Sequence, residues 1–224
     1  MEQAQAQIKT PTFFDVYELL FDHNGSQNWW PGETAFEIMV GAILTQNTAW
    51  TNVEKAIEKL KLADALSPER LLSLPEKTVA DLIRSSGYFN VKTQRLRNYC
   101  NWFLESGGHN ALSTCATDDL RSGLLSVNGI GPETADDILL YAFGRSVFVI
   151  DTYTRRLFSR LELINHDLEY EQIRSVFENK LEEDTQLFNE YHALIDVHAK
   201  TICKTKPFCE SCCLIKHCPY GKKE

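Results

Sequence analysis

Two segments in the middle of the chain carry residue types that can do chemistry. Asp151 follows the apolar run 147–150 and precedes a helical pattern with three arginines. A carboxylate at such a junction commonly caps the following helix, and it can also serve as a general base or a stabilising charge. Gly129 and Gly131 permit a sharp turn and leave backbone N–H groups at a helix N-terminus, where an anion can bind. The glycine pair alone is equally compatible with an ordinary turn between helices.

The end of the chain carries a metal-ligand pattern. Four cysteines are separated by five, two and five residues: Cys203, Cys209, Cys212 and Cys218. In an intracellular chain this clustering favours a metal site over disulfides, and thiolates at these separations can converge on one centre. Tetrahedral sulfur suits both zinc and an iron–sulfur cube, so ligand chemistry leaves both open. Cys213 could replace Cys212, although the two-residue spacing favours Cys212.

Helices must position these residues. Apolar residues lead into the two glycines, Pro132 stands at a first helical position, and helical spacing continues until Gly144 closes the helix. The segment is therefore predicted to be helix, glycine hairpin, helix, and Asp151 begins the next helix. With 11 Gly, 7 Pro and little strand-like alternation, the sequence predicts an all-α fold.

Length, composition and charge narrow the class of protein. A chain of 224 residues with 43% hydrophobic residues can bury a core as one domain or two lobes. No apolar stretch is as long as a membrane span, and MEQAQAQIKT lacks the apolar run of a signal peptide, so we expect a soluble, intracellular protein. The net charge of −8 argues against non-specific coating of nucleic acid. It does not exclude DNA contacts through backbone N–H groups, because nine acidic residues are concentrated between Glu162 and Glu190.

The motif Leu-x-x-x-Gly-Ile-Gly-x-x-Thr-Ala, followed by a helix and Val-Ile-Asp-Thr, resembles the helix-hairpin-helix and catalytic aspartate of the endonuclease III superfamily of DNA base-excision glycosylases. The resemblance covers about residues 28–218. It implies an all-α, two-lobe fold: residues 34–145 as a six-helix barrel ending in the hairpin, and residues 1–33 plus 146–224 as a terminal lobe with the cysteine loop. The extruded nucleotide would lie in the cleft between the lobes. The implied location is cytoplasmic, associated with the nucleoid when on DNA.

The same resemblance implies roles for residues along the chain. Asp151 would be catalytic. The hairpin would grip the phosphate backbone, with a possible bridging monovalent cation, through Leu125, Val127, Gly129, Gly131 and Thr134. Gln46 or Asn47 would be the wedge that fills the gap left by a rotated base. Tyr88 to Arg97 is similar to the family's Tyr-Asn-x-Lys-Ala stretch, and Lys92, Arg95 and Arg97 would either contact DNA or form a solvated helix face.

The cysteine order resembles the C-terminal iron–sulfur loop of the family. It implies a [4Fe–4S] cluster on the four cysteines, with zinc as the alternative. Bacterial members commonly have six residues in the first gap, whereas this chain has five, which corresponds to a one-residue deletion. Three lysines around the cluster could meet phosphates: Lys204, Lys206 and Lys216. His192 and His198 lie six residues apart, off one helix face, and are interpreted as ordinary helical histidines.

Two further features concern the reaction. Bifunctional members place a lysine two residues after the second hairpin glycine to form a Schiff base, and this chain has Glu133 there, so no β-lyase activity is expected. Trp29-Trp30-Pro31 and GAILTQNT with Trp50 look like type III 3-methyladenine DNA glycosylases, in which two aromatic rings sandwich the flipped alkylpurine. One of Trp29 and Trp30 would pair with Trp50.

These features together predict a monomeric, monofunctional glycosylase that hydrolyses the N-glycosidic bond of an alkylated purine, such as 3-methyladenine, in double-stranded DNA. Two alternatives are kept. The first is a glycosylase for another lesion or mismatch, such as an oxidised base or thymine opposite guanine. The second is a non-catalytic protein that binds damaged DNA.

Overall fold

The computed structural model describes residues 10–222. The expectation about the N-terminal sequence, and the outer ends of the predicted terminal lobe, fall partly on residues 1–9 and 223–224, outside the described range. Residues 10–222 contain helices and no strand, which confirms the all-α fold. In this range no helix has both the length and the apolar character needed to cross a membrane.

The helices have the following bounds: α1 Phe13–Asn24, α2 Ala35–Leu44, α3 Trp50–Leu62, α4 Pro68–Ser73, α5 Glu76–Leu82, α6 Phe89–Glu105, α7 Gly108–Leu112, α8 Thr117–Ser126, α9 Pro132–Asp137, α10 Thr152–Arg160, α11 Tyr170–Lys180 and α12 Thr185–Thr201. Short 3-10 turns lie at Arg84–Ser86, Cys209–Ser211, Ile215–His217 and Tyr220–Lys222.

The chain divides into two compact units. We call Trp30–Arg145 the hairpin unit, and Met1–Trp29 together with Ser146–Glu224 the terminal unit. The predicted barrel began at residue 34, so the division in the structure falls four residues earlier and separates Trp29 from Trp30. The hairpin unit contains eight α-helices, besides one 3-10 turn and one π-helical turn, where a six-helix barrel was expected, because residues 68–112 include short helices.

Helix α2 forms the centre of the hairpin unit. Its residues from Met39 to Leu44 are all buried, and α3, α6 and α9 contact it. A helix that is apolar on every side is stable only when it is surrounded, so this sequence places α2 in the interior. Thr34 caps its first turn by accepting from the Glu37 backbone N–H at 3.1 Å. The residues after Leu44 therefore begin at the end of a buried helix whose position its neighbours fix.

The helix-hairpin-helix consists of α8, the turn at 127–131 and α9. Pro132 stands in the first turn of α9, as the sequence predicted. Helix α9 continues directly into a π-helical turn at Ile138–Ala142, which the sequence pattern did not indicate. Gly144 has φ +62° and ends the helix.

The terminal unit is built on aromatic packing. Its core rings are Phe13, Phe148, Phe158, Phe177, Phe188 and Tyr191. The hydroxyl of Tyr191, buried in this cluster, donates to the Phe13 carbonyl at 2.6 Å. The apolar run 147–150 is buried beside these rings and leads directly to Asp151. The position of Asp151 is therefore fixed by the core that anchors the residues before it.

Candidate functional site

Asp151 is the N-cap of α10. Its Oδ1 accepts from the Thr154 backbone N–H at 2.7 Å. The side chain is 14% exposed, and its Oδ2 lies 4.0 Å from Nε2 of His192. The capping role and a chemical role are compatible, because the cap uses only Oδ1 and the side chain keeps part of its surface exposed. Asp151 is thus a fixed, partly exposed carboxylate.

Helix α12 lines the region around Asp151 with titratable groups. His192 is buried, and Asp196 and Lys200 follow it at successive turns. Burial raises the pKa of Asp196, and Lys200, which donates to it at 2.6 Å, partly opposes this. Sequence reasoning treated His192 as an ordinary helical residue. No local signal indicated its approach to Asp151, which is 41 positions earlier (192 minus 151).

The two hairpin glycines have different physical roles. Gly129 has φ +100°, and a Cβ built there would overlap the side chain of Arg95. Gly131 has φ −96°, and a Cβ there would meet nothing within 4 Å. Within residues 10–222, the N–H groups of both glycines donate to no protein acceptor. The turn therefore offers two unpaired donors, one on tightly packed backbone and one on open surface.

The other predicted phosphate-binding residues are less accessible. Val127 and Thr134 are buried, so any phosphate contact from them would use the backbone, and Leu125 is half-buried. The angle between the hairpin helices is fixed by Arg121 on α8, which binds buried Asp136 on α9 through two hydrogen bonds of 2.7 and 3.1 Å. This pair was not predicted from the sequence.

The structure distinguishes the two wedge candidates. The amide nitrogen of Gln46 donates to the Gly129 carbonyl at 3.1 Å and to the Thr134 hydroxyl at 2.9 Å. Its carbonyl oxygen accepts from Arg95. Both ends of Gln46 are therefore held within the hairpin unit. Asn47 is exposed and has φ +53°, a conformation that asparagine tolerates better than most residues.

Lys92, Arg95 and Arg97 on α6 were expected to contact DNA or to form a solvated face, and for Lys92 this prediction is wrong. Lys92 is 1% exposed, and its ammonium donates to three oxygens between 2.6 and 2.8 Å away. Arg97 donates to the carbonyls of residues at the end of α4. Arg95 binds Gln46. All three cations hold the protein's own backbone or side chains, because oxygens from neighbouring segments converge on α6.

Trp30 and Trp50 come together in the hairpin unit. Their rings meet edge to face with centroids 5.0 Å apart, and Tyr141 lies 4.9 Å from Trp30. The Trp50 indole N–H donates to Glu54 at 3.0 Å. In this arrangement the two faces leave no slot for a planar base. Trp29 lies in the terminal unit, where it lines a groove with Phe14 and Tyr17.

The four predicted ligand cysteines line one small, apolar cavity in the terminal unit. Cys213 is not among the residues that line it. Arg160 donates to the Cys203 sulfur at 3.2 Å, and its guanidinium lies over the Tyr220 ring. Across residues 10–222, no group of three or more His, Cys, Asp or Glu side chains is close enough to hold one metal ion. The four cysteines therefore share one cavity.

The surface near this cavity is basic. Lys204, Lys206 and Lys216 are exposed. On the inner side His198 is buried with its Nε2 3.4 Å from the Cys212 sulfur, and burial lowers the pKa of His198 to about 4. The loop thus presents cations outward and sulfur inward.

Comparisons with known proteins agree with this geometry. Residues 40–183 match the model for the HhH-GPD superfamily of base excision DNA repair proteins. A Methanocaldococcus jannaschii protein, whose name assigns it provisionally to the DNA repair glycosylases, is 45% identical over 94% of this chain and 97% of its own length. The 3-methyladenine DNA glycosylase of H. pylori bound to 1,N6-ethenoadenine has a TM-score of 0.72 and 28% identity over 84% of this chain and 96% of its own. A non-covalent endonuclease III–DNA complex has a TM-score of 0.80 and 20% identity, covering 93% and 94% of the two chains.

Proposed function

The chain belongs to the HhH-GPD superfamily of base excision DNA repair proteins, and within it we propose a monofunctional DNA glycosylase that removes an alkylated purine, such as 3-methyladenine, from double-stranded DNA. The observation that carries the proposal is Asp151, a carboxylate that is fixed through one oxygen and remains partly exposed as a side chain. It follows a hairpin with two unpaired N–H donors, which suits a protein that holds the DNA backbone while acting on one sugar.

The proposed reaction replaces the C1′–N bond with a C1′–O bond, and the proton of the attacking water passes to Asp151 or to solvent. The C1′–N bond of the damaged nucleotide breaks, the base leaves with the electron pair, and a water oxygen bonds to C1′. Asp151 either accepts the proton of that water or stabilises the positive charge that develops on the sugar. A base that is already cationic leaves as a neutral molecule, so the reaction needs no general acid. Asp151 alone can therefore serve as the catalytic side chain of the proposed reaction.

The surroundings of Trp30 and Trp50 support a cationic base. Both indoles line one groove together with three carboxylates, Glu37, Glu54 and Glu58, and one cation, Lys61, which is ion-paired with Glu37 at 2.9 Å, so the carboxylates outnumber the cation. Aromatic faces attract cations, and neighbouring carboxylates add to that attraction. One structural relative, the H. pylori enzyme, is by its name a 3-methyladenine glycosylase. Because the two rings meet edge to face, stacking on a base between them requires one indole to rotate.

A panel of duplexes, each with one defined lesion, tests the substrate class. The panel contains 3-methyladenine, 1,N6-ethenoadenine, 8-oxoguanine, thymine opposite guanine and an undamaged control. We expect free alkylated base from the first duplex. Preferential release of 8-oxoguanine or thymine would assign the site to an oxidised base or a mismatch. Tight binding of a damaged duplex without release of any base would identify a damage-binding protein.

The lack of lyase activity is a separate proposal and rests on Glu133. A carboxylate cannot form an imine with the sugar aldehyde, and the buried amine of Lys92 already donates to three acceptors. We expect no covalent adduct when borohydride is added to a reaction on an abasic duplex. A trapped adduct would contradict the monofunctional assignment without affecting the glycosylase proposal.

We propose that the four cysteines at the cavity hold a [4Fe–4S] cluster. Four cysteine thiolates suit an iron–sulfur cube and zinc alike, and the order of the cysteines, which resembles the iron–sulfur loop of the family, favours the cluster. When bound, the cluster would stabilise the loop that carries the exposed lysines near DNA phosphates. A monovalent cation at the hairpin remains part of the proposal, bound through backbone carbonyls of the turn at 127–131.

A further inference from the structure

Lys92 and Arg95, one turn apart on α6, bind the loop at residues 45–48 that follows α2. We call this set of contacts the clamp. We propose that Lys92 and Arg95 are positioning residues that keep residues 45–48 in one shape, with Gln46 as an anchor and Asn47 as the side chain that enters the gap left by an extruded base. The inference rests on the proposed glycosylase function for its context. It concerns residues of the hairpin unit alone.

Lys92 joins three separate segments. Its ammonium donates to the Leu44 carbonyl at 2.8 Å, the Thr48 hydroxyl at 2.7 Å and the Ser86 carbonyl at 2.6 Å. An ammonium has three N–H groups, so donors and acceptors match in number. The first two acceptors stand at the two ends of the loop, and the third lies on a 3-10 turn beside α3. The loop is therefore fixed at both ends by one buried atom.

Burying a cation is unfavourable, which makes a purely space-filling role a poor explanation for Lys92. Lys92 is 1% exposed, and burial, with a smaller contribution from Arg95, lowers its pKa to about 8. The amine therefore remains protonated at neutral pH. Removing it would leave the Leu44 carbonyl and the Thr48 hydroxyl without this donor, while the Ser86 carbonyl would keep only its hydrogen bond from Thr48, and unsatisfied groups of this kind are costly.

Arg95 fixes the middle of the loop. Its guanidinium donates to the Gln46 side chain, and its aliphatic stem packs on the hairpin at Gly129. Gln46 in turn donates to the Gly129 carbonyl and the Thr134 hydroxyl. Gln46 therefore links the loop to the hairpin, and inserting it into DNA would break all of these bonds.

Asn47 is the one residue of 45–48 that is exposed. Its φ of +53° turns the chain at that point, and its neighbours Gln46 and Thr48 are held by Arg95 and Lys92. A loop that is ordered before binding loses little entropy when it inserts, which favours insertion. The structure thus gives Asn47 the free side chain and gives Gln46, Lys92 and Arg95 the task of holding it.

A fluorescence experiment tests this without requiring catalysis. The probe is a duplex with a tetrahydrofuran abasic analogue opposite 2-aminopurine, whose emission changes when a wedge alters its stacking. We expect Lys92→Met and Asn47→Ala each to lose most of the wild-type emission change, while binding to an undamaged duplex stays within about threefold. Lys55→Met, which replaces an exposed lysine of α3, is the matched control and should behave as wild type.

A double-mutant cycle identifies the route of the effect. If Lys92 acts through Asn47, Lys92→Met together with Asn47→Ala should lose no more signal than Asn47→Ala alone. Additive losses would assign Lys92 to general stability and overturn the inference. Should Lys92→Met fail to fold, Thr48→Val removes at nearly constant volume the hydroxyl that accepts from Lys92 and donates to the Ser86 carbonyl, and a loss of about threefold to tenfold is then expected.

The outcomes separate the clamp from the proposed function. A wild-type emission change that survives Asn47→Ala would overturn the assignment of the wedge, whether or not the protein releases bases. Failure of wild-type protein to release any base, with the emission results as expected, would overturn the glycosylase proposal and leave the clamp supported.

Discussion

Asp151 and the loop at residues 45–48 are held in opposite ways. The Asp151 carboxylate is fixed by a backbone N–H three residues away. The loop is fixed by side chains 44 to 88 positions away, through Lys92 and through Gln46 to the hairpin. A residue held locally can change its chemistry while its backbone stays in place. A loop held by distant side chains cannot change one partner without disturbing several segments, so substitutions in the two regions should have different signatures.

The largest effect is expected for Asp151→Asn. Asparagine caps a helix as well as aspartate does, so α10 should remain intact while the negative charge is lost. Base release should fall by roughly 100-fold to 10,000-fold, the range typical of a positioned acid–base group. Single-turnover kinetics on alkylated DNA measure the rate of base release, and thermal unfolding measures the stability of the variant.

Asp151→Ala is the companion variant. It removes both the charge and the cap, so it should lose the same activity and in addition about 1 kcal/mol of stability. Equal activity for wild type and Asp151→Asn would remove Asp151 from the mechanism. Equal stability for the Asn and Ala variants would show that the cap contributes little.

A third kind of support is proposed for the loop at residues 203–218, which the iron–sulfur cluster would hold. Cys212→Ser should lose most bound iron and the visible absorption of an iron–sulfur protein, because Cys212 lines the cavity. Cys213→Ser should keep both, since Cys213 is its sequence neighbour but does not line the cavity. Metal analysis with absorption spectroscopy decides the point. A colourless wild-type protein containing one zinc ion would support the zinc alternative.

The hairpin glycines sharpen the comparison within one turn. Gly129→Ala places a methyl group against Arg95 at a φ of +100° and should destabilise the hairpin unit by about 1–3 kcal/mol. Gly131→Ala meets open space at an ordinary φ, so its free energy of unfolding should be close to that of wild type. Urea unfolding compares the two. Equal losses would mean that the clamp does not depend on the close approach of Arg95 and Gly129.

The smallest expected effect is the pH dependence contributed by Lys92. Its pKa is about 8 when folded, against an ordinary value of 10.5. Between these values the unfolded chain binds more protons, so the contribution of Lys92 to stability should rise with pH, on the order of 1–3 kcal/mol. The measurement is the difference in unfolding free energy between wild type and Lys92→Met at pH 7.5 and pH 10. A difference that stays constant or falls would contradict the lowered pKa.

The same contrast explains what the sequence could predict. The hairpin and the helix start at Asp151 depend on neighbours within a few residues, so local spacing was sufficient to indicate them. The role of Lys92 depends on oxygens from Leu44 and Ser86, which no local pattern brings together. One signal was present: Lys92 stands one turn before buried Leu96, in line with the apolar stripe of α6. Because lysine is usually exposed to solvent, the residue type did not indicate that Lys92 is buried.

The contacts of the tryptophans likewise depend on residues that are distant in the sequence. The sequence left open which of Trp29 and Trp30 pairs with Trp50, and in the structure Trp30 contacts Trp50 while Trp29 lines a different groove. Their pairing with other rings depends on tertiary packing. Sequence spacing therefore named the candidates, while the contact of Trp30 with Trp50 and Tyr141 required the fold.

The most direct test follows base and strand together on one end-labelled duplex containing 3-methyladenine. Chromatography detects free base, and a denaturing gel run before and after alkali detects strand breaks. We expect wild-type protein to release the base and leave the strand intact until alkali is added, with no release by Asp151→Asn. Release by Asp151→Asn at the wild-type rate, or no release by either protein, would contradict a hydrolytic glycosylase built around Asp151.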